Sequence, residues 1–217
     1  MAKAAKIRCR LCLVTPRSAD PAVFARALGD ALAGGDVASL IIAGDPADPA
    51  AVQRLAEACV PVARMRGVAS FVQNDTRIAG RTGADGVHID TGTADLSAAI
   101  TAFRPKRMVG AGGAFSRHDA MTLGEADPDY VFFGRLDGDD SDAIFPTTLD
   151  LAEWWAAVTV IPGIVMGGGD LHSVVTAAEA GTEFVALSRA VWEHPSGPGA
   201  AVAEASRLLA AVGESAA

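Results

Sequence analysis

The 217-residue chain has few cysteines, few aromatics, no basic cluster and no long apolar run, and each shortage excludes a class of protein. Three cysteines, an odd number, do not make a disulfide framework. Cys9 and Cys12 form a C-x-x-C, but both fall in a strand-like run. An odd separation on a strand puts the two thiols on opposite faces, where they cannot chelate one metal. All three cysteines therefore read as packing residues. A net charge of −8, with eight Phe, three Trp and one Tyr and no Lys/Arg cluster, argues against a nucleic-acid partner. It leaves room for an anionic small molecule, because a few local donors can oppose the global field. The longest apolar runs, such as residues 38–43, are far too short to span a bilayer, so no membrane partner is expected. Near the N-terminus Lys3 and Lys6 precede an apolar run that Arg8 and Arg10 interrupt. That pattern argues against a signal peptide and for the cytoplasm.

What remains is a chain that is half hydrophobic and only 20% charged, long enough for one domain over 1–217 with a sizeable core. Eight short apolar segments alternate with helical patterns. The strand-like segments are 7–14, 37–43, 69–73, 86–90, 108–111, 130–134, 163–166 and 184–187. Between and after them helices are expected near 21–34, 48–58, 76–81, 94–103, 116–124, 149–158, 171–180 and 200–212. Asp20-Pro21 opens the first helix as an N-cap followed by Pro, Pro61 should kink or end the second, and Gly83 should stop the third. Eight such units predict a closed α/β (β/α)8 TIM barrel. An open doubly wound sheet is the alternative. It would place its phosphate loop after the first strand, where Thr15-Pro16-Arg17-Ser18 is not glycine-rich.

The chemistry concentrates at two places. Residues 163–170 are a short apolar run, then Gly167-Gly168-Gly169, then Asp170, which can cap the next helix. Glycines between a strand and a helix N-terminus leave backbone N–H groups free for an anion and let a phosphate approach closely. The plainer reading is a tight βα turn. Position favours phosphate, because in such barrels phosphate commonly sits after strands seven and eight. Leu187-Ser188-Arg189 follows strand eight and adds a hydroxyl and further N–H groups. The second place is Asn74-Asp75 with Asp90, at the ligand-facing ends of strands three and four. Two carboxylates and an amide oxygen form a hard oxygen site suited to Mg²⁺ and substrate phosphates. The competing reading is helix capping, by Asp75 for the third helix and by Asp90 or Asp95 for the fourth. His88 falls on strand four, where a hydrogen-bonded interior role fits better than catalysis. No histidine pairs with a nucleophile. Asp137, Asp139, Asp140 and Asp142 lack EF-hand spacing and read as a solvated, mobile acidic loop over 137–148 after strand six.

These pieces resemble the thiamine phosphate synthase and thiazole tautomerase superfamily. The likeness is carried by Leu11-Cys12-Leu13-Val14-Thr15, Val72-Gln73-Asn74-Asp75 and Gly83-Ala84-Asp85-Gly86-Val87-His88-Ile89. It continues through Asp129-Tyr130-Val131-Phe132-Phe133-Gly134, the glycine-rich stretch, and Phe184-Val185-Ala186-Leu187-Ser188. The resemblance implies a transferase that joins hydroxymethylpyrimidine diphosphate to thiazole phosphate and releases pyrophosphate with Mg²⁺ as cofactor. It implies that Asn74 and Asp75 bind diphosphate and Mg²⁺, and that Asp90 or Asp95 is the second metal carboxylate. It further implies that Gly167, Gly168, Gly169, Leu187 and Ser188 hold the thiazole phosphate.

The chain departs from the family pattern at several loops. After strand two a Gln-x-Arg-x-x-Lys signature is replaced by Ile41-Ile42-Ala43-Gly44-Asp45-Pro46. After strand six a Pro-x-x-Thr-x-Thr-Lys loop is replaced by Arg135-Leu136-Asp137-Gly138-Asp139-Asp140. The serine of strand five gives way to Gly112-Gly113, and Arg135 stands where the tautomerase branch has its catalytic His. Losing lysine-type contacts beside four aspartates weakens the hold on an anionic leaving group, with Arg135 or Arg17 the cations left to replace them. The alternative function is a non-catalytic or altered-activity barrel that binds thiamine phosphate or thiazole phosphate. Another phosphate-binding barrel, such as an isomerase, would need an acid/base pair that the sequence does not offer. A homo-oligomer is as compatible with the sequence as a monomer.

Overall fold

The computed structural model describes residues 9–215, so Ile7 and Arg8 of the expected first strand lie outside the described residues. Eight parallel strands close into a barrel in sequence order, β1-β2-β3-β4-β5-β6-β7-β8, with β1 pairing β8. They are β1 (Arg10–Val14), β2 (Val37–Ile42), β3 (Ala69–Gln73), β4 (Gly86–Ile89), β5 (Met108–Ala114), β6 (Tyr130–Phe133), β7 (Gly163–Met166) and β8 (Phe184–Leu187). The helices are α1 (Pro21–Gly34), α2 (Pro49–Met65), α3 (Thr76–Thr82), α4 (Thr93–Phe103), α5 (Arg117–Gly124), α6 (Pro146–Val158), α7 (Ser173–Glu179), α8 (Arg189–Trp192) and α9 (Pro198–Ser215). The fold is a (β/α)8 TIM barrel, and no helix among the described residues is long and apolar enough to cross a membrane.

Strand periodicity sorts the side chains into two cores. Leu11, Leu13, Leu40, Ile42, Val72, Val131, Phe133, Val165 and Leu187 point outward into the layer beneath the helices. Their neighbours Cys12, Val14, Ile41, Phe71, Tyr130, Phe132, Ile164, Met166 and Ala186 fill the lumen. Alternation on a pleated strand makes this division automatic. Cys9 accordingly sits in the outer layer and Cys12 in the lumen, and burial pushes their thiols up to about 11 and about 12. At the β8–β1 seam Trp192 packs edge-on against Phe24 at 4.7 Å, and its indole N–H donates to the Val14 carbonyl at 2.6 Å.

Local chemistry sets the helix ends. Asp20, Asp75 and Ser116 each accept a backbone N–H three residues on, and Gly83 adopts a left-handed φ of 71° at the end of α3. Three expectations change. α2 runs through Pro61 to Met65, so proline does not end it; its packed face, with Leu55, Cys59, Val60 and Ala63 buried, outweighs one lost hydrogen bond. α6 starts at Pro146, so residues 146–148 form its first turn rather than loop. α7 begins only at Ser173, because Asp170 accepts the His172 N–H at 2.8 Å in a turn and leaves α7 without a side-chain cap.

Candidate functional site

The C-terminal ends of the strands form the mouth, and its β3–β4 side is a network of polar side chains. Asn74 follows β3 with a φ of 57°, a left-handed conformation that Asn tolerates better than most residues. Both ends of its amide bind Asp90. Oδ1 accepts the Asp90 N–H at 3.0 Å, and Nδ2 donates to Asp90 Oδ1 at 2.6 Å. The other Asp90 oxygen accepts from Gln73 Nε2 at 2.8 Å, while Gln73 Oε1 accepts the Gly44 N–H at 3.4 Å. A carboxylate that takes two amide donors is fixed in orientation. Asp75 commits one oxygen to the Ile78 N–H at 2.8 Å, so it does cap α3. Both acids nevertheless line one cavity of about 530 Å³, together with Arg17, Asp45, Gln73 and Asn74.

Asp95 is placed differently. It lies in the first turn of α4, accepts from the Thr91 hydroxyl at 2.6 Å, and is not among the residues lining that cavity. Asp90 caps nothing, since the N-cap of α4 is Gly92. Of the three acids expected at a metal site, Asp75 and Asp90 share this cavity and Asp95 does not. Among the described residues no three acidic, His or Cys side chains gather into a complete metal cage. Mg²⁺ does not require one, because it commonly takes one or two carboxylates and completes its shell with water and phosphate oxygens. The donor set fits that ion.

A second compartment of about 330 Å³ adjoins the first, sharing Arg17 and Asp90, and is lined also by His88, Phe115, Phe132, Arg135 and Asp137. Arg17 Nε and Arg135 Nε both meet Asp137, each at 3.1 Å. Arg17 also donates to the Gly44 carbonyl at 3.2 Å, tying together the loops after β1, β2 and β6. Burial alone would raise the Asp137 carboxyl, but the Arg135 hydrogen bond and the two guanidinium charges outweigh it and hold it below its ordinary value. Two cations thus share this one anion, while Asp90 lines the same compartment. Lys106, the one lysine among the described residues, precedes β5 at the opposite end of the barrel.

His88 lies beneath this compartment, 1% exposed, with Nδ1 3.0 Å from the Tyr130 hydroxyl and Phe132 packed edge-on. Burial lowers its pKa to about 4 against the opposing pull of Asp90, so the imidazole is neutral at pH 7. The interior, hydrogen-bonded role expected from the sequence is the one observed.

On the β7–β8 side, residues 167–169 and 187–189 do come together. Gly167 N–H continues the ladder to the Ala186 carbonyl at 2.8 Å. Gly169 N–H donates to the Ser141 carbonyl at 2.7 Å and Asp170 N–H to the Asp142 carbonyl at 3.1 Å. The Asp139 carboxylate accepts the Arg189 N–H at the start of α8. Ser188 is 8% exposed, and the Leu187 side chain lies in the outer core, so only its backbone faces the mouth. The acidic segment thus folds over the glycine loop.

The sequence reading overlooked Gln73, Asp45 and Phe115. Strand parity carried a signal for Gln73, because Phe71 two residues earlier points into the lumen. Asp45 and Phe115 sit on loops, where periodicity says nothing.

Comparison with known proteins bears on the family and the fold. Residues 11–191 match the model of the thiamine monophosphate synthase family. The chain is 35% identical over 210 residues to the thiamine-phosphate synthase of Rhodospirillum centenum, covering 93% of this chain and 98% of that one. It is 33% identical over 201 residues to that of Hyphomonas neptunium, covering 90% and 91%. Among solved structures, the thiamine phosphate pyrophosphorylase of Pyrococcus furiosus has the same fold, with a TM-score of 0.76 at 20% identity, covering 95% of this chain and 98% of that one. The chain belongs to the thiamine monophosphate synthase family.

Proposed function

We propose that this protein is a cytoplasmic transferase of thiamine biosynthesis, joining hydroxymethylpyrimidine diphosphate to thiazole phosphate and releasing pyrophosphate. The observation that carries the reading is the pairing of Asp75 and Asp90 on one cavity, with Asn74 locking Asp90 in place. Mg²⁺ held there would neutralise the departing diphosphate. Asp75 and Asp90 are the ligands in this reading, and Asp95 is not one. The bond that breaks runs from the pyrimidine methylene carbon to the diphosphate oxygen, which leaves with the electron pair. The bond that forms joins the same carbon to the thiazole nitrogen. Little proton transfer is needed, so the protein's work is to hold both partners and stabilise developing charge. Arg17 and Arg135 sit on the rim of the same compartments and are the cations available to the diphosphate, in place of the lysine-type contacts that the loops after β2 and β6 lack. The exposed Phe115 ring on that rim offers a flat apolar face to a heterocycle. The glycine loop and the β8–α8 turn are the positions for the thiazole phosphate.

One observation favours a second reading, a barrel that binds thiazole phosphate or thiamine phosphate without synthase turnover. Asp45 joins Asp75 and Asp90 around the cavity, so three acids face the place a diphosphate would occupy. Calorimetry with each precursor, with and without Mg²⁺, separates the two. The synthase reading expects Mg²⁺-dependent diphosphate binding and pyrophosphate release. Thiazole-phosphate binding with no diphosphate binding overturns it.

A further inference from the structure

Backbone N–H groups at a buried turn are not left unpaired, so the partners of the glycine loop are informative. Beyond the ladder bond from Gly167 to Ala186, they come from one segment. The carbonyls of Ser141 and Asp142 take the N–H groups of Gly169 and Asp170, and the Asp139 carboxylate takes that of Arg189. Asp139 is 7% exposed, whereas its neighbour Asp140 is exposed. A carboxylate is seldom buried away from cationic side chains unless donors hold it. The contact is close: a Cβ on Gly168 would collide with the Asp142 carbonyl, and one on Gly169 would lie 3.3 Å from the Asp139 carbonyl oxygen. The Arg189 guanidinium lies against Gly169. The fit is also incomplete, because Ser173 Oγ is buried beside Gly167 and has no hydrogen-bond partner among the described residues. A turn built only to receive this segment would have no use for an unpaired buried hydroxyl.

We infer that segment 137–142 is a built-in occupant of the phosphate cradle. Asp139 stands in for an anionic ligand, and a phosphorylated substrate binds by displacing it. The inference rests on the phosphate role given above to the β7–β8 turns, and it adds a gate to that site. Of the segment's four acids Asp139 is the buried one, and it fills this role. It complements a cradle of N–H donors while the site is empty, and repulsion drives it away once a phosphate arrives.

The test is calorimetry on the full chain with inorganic phosphate and with thiazole phosphate, comparing wild type with Asp139→Ala, Asp139→Asn and, as an exposed control, Asp140→Ala. Removing the internal competitor should tighten binding of both probes about tenfold in Asp139→Ala. The Asn variant, which keeps shape and an acceptor, should gain less, and Asp140→Ala should match wild type. The Arg189 amide should also exchange its hydrogen faster in Asp139→Ala. Equal or weaker affinity in both Asp139 variants overturns the gate, whether or not the wild type makes product. If the Asp139 variants gain affinity but no form of the chain releases pyrophosphate, the gate stands and the synthase reading falls. If neither probe binds any variant, the cradle and the gate fall together.

Discussion

The two sides of the barrel mouth solve the same problem in opposite ways. After β3 and β4 the groups facing the cavity are acceptors, the carboxylate of Asp75, held by the Ile78 N–H, and that of Asp90, steadied by the amides of Gln73 and Asn74. After β7 and β8 they are backbone donors, and the chain covers them with its own carbonyls and with Asp139. The contrast follows from solvation. Carboxylates facing a cavity can wait hydrated until a cation arrives, while N–H groups pressed under a loop must be paired at all times. An acceptor site can therefore stay open, and a buried donor site needs an internal partner.

Substitutions on the acceptor side should have the largest effect. Asp75→Ala or Asp90→Ala should lower the rate of pyrophosphate release by about 100-fold or more, with a raised Mg²⁺ requirement, because each removes a ligand whose position sets substrate geometry. Asp95→Ala should leave the Mg²⁺ titration of that rate unchanged. A titration in which Asp95→Ala matters and Asp90→Ala does not would reverse the assignment.

Acid should act through the same side. The unfolded chain protonates His88 near 6.5, whereas the folded chain resists until about 4. The unfolded state then binds more protons across that window, so stability falls as pH drops through it, by roughly 3 kcal/mol at the lower end. Denaturant midpoints at pH 7 and pH 4.5 measure this, and His88→Gln should flatten the slope. An unchanged slope would mean that His88 titrates without cost.

The donor side should respond mainly in packing. Gly168→Ala must displace the Asp142 carbonyl, so thermal unfolding should report a loss of about 1–3 kcal/mol. The loosened cover should also leave the segment open to proteases. If the variant keeps wild-type stability, the close approach is softer than it looks. The smallest effect belongs to the rim. Arg135→Ala leaves Asp137 with Arg17 and should raise the diphosphate KM by about three- to tenfold, the scale of a partly exposed charged contact.

The barrel was legible in the sequence because its signals are local. Alternation along a strand separates Leu11 from Cys12 and Val131 from Phe132, and Asp20, Asp75, Gly83 and Ser116 mark helix ends within a few residues of themselves. Misread boundaries had local causes too. Asp170 looked like a cap and instead formed a turn, and Pro146 opened a helix where acidity suggested loop.

The sequence by itself determined eight strand–helix units, a glycine loop after the seventh strand and acids at the ends of the third and fourth. Only the tertiary structure decided which of these meet. Asn74 reaches Asp90 across 16 residues, Asp139 reaches Arg189 across 50, and Arg17 reaches Asp137 across 120. These pairs depend on how the barrel closes and how its strands register, which is the sum of many contacts rather than the preference of any segment. The same closure placed Asp90 on the cavity and left Asp95 to Thr91, although both were acids at the mouth end of β4.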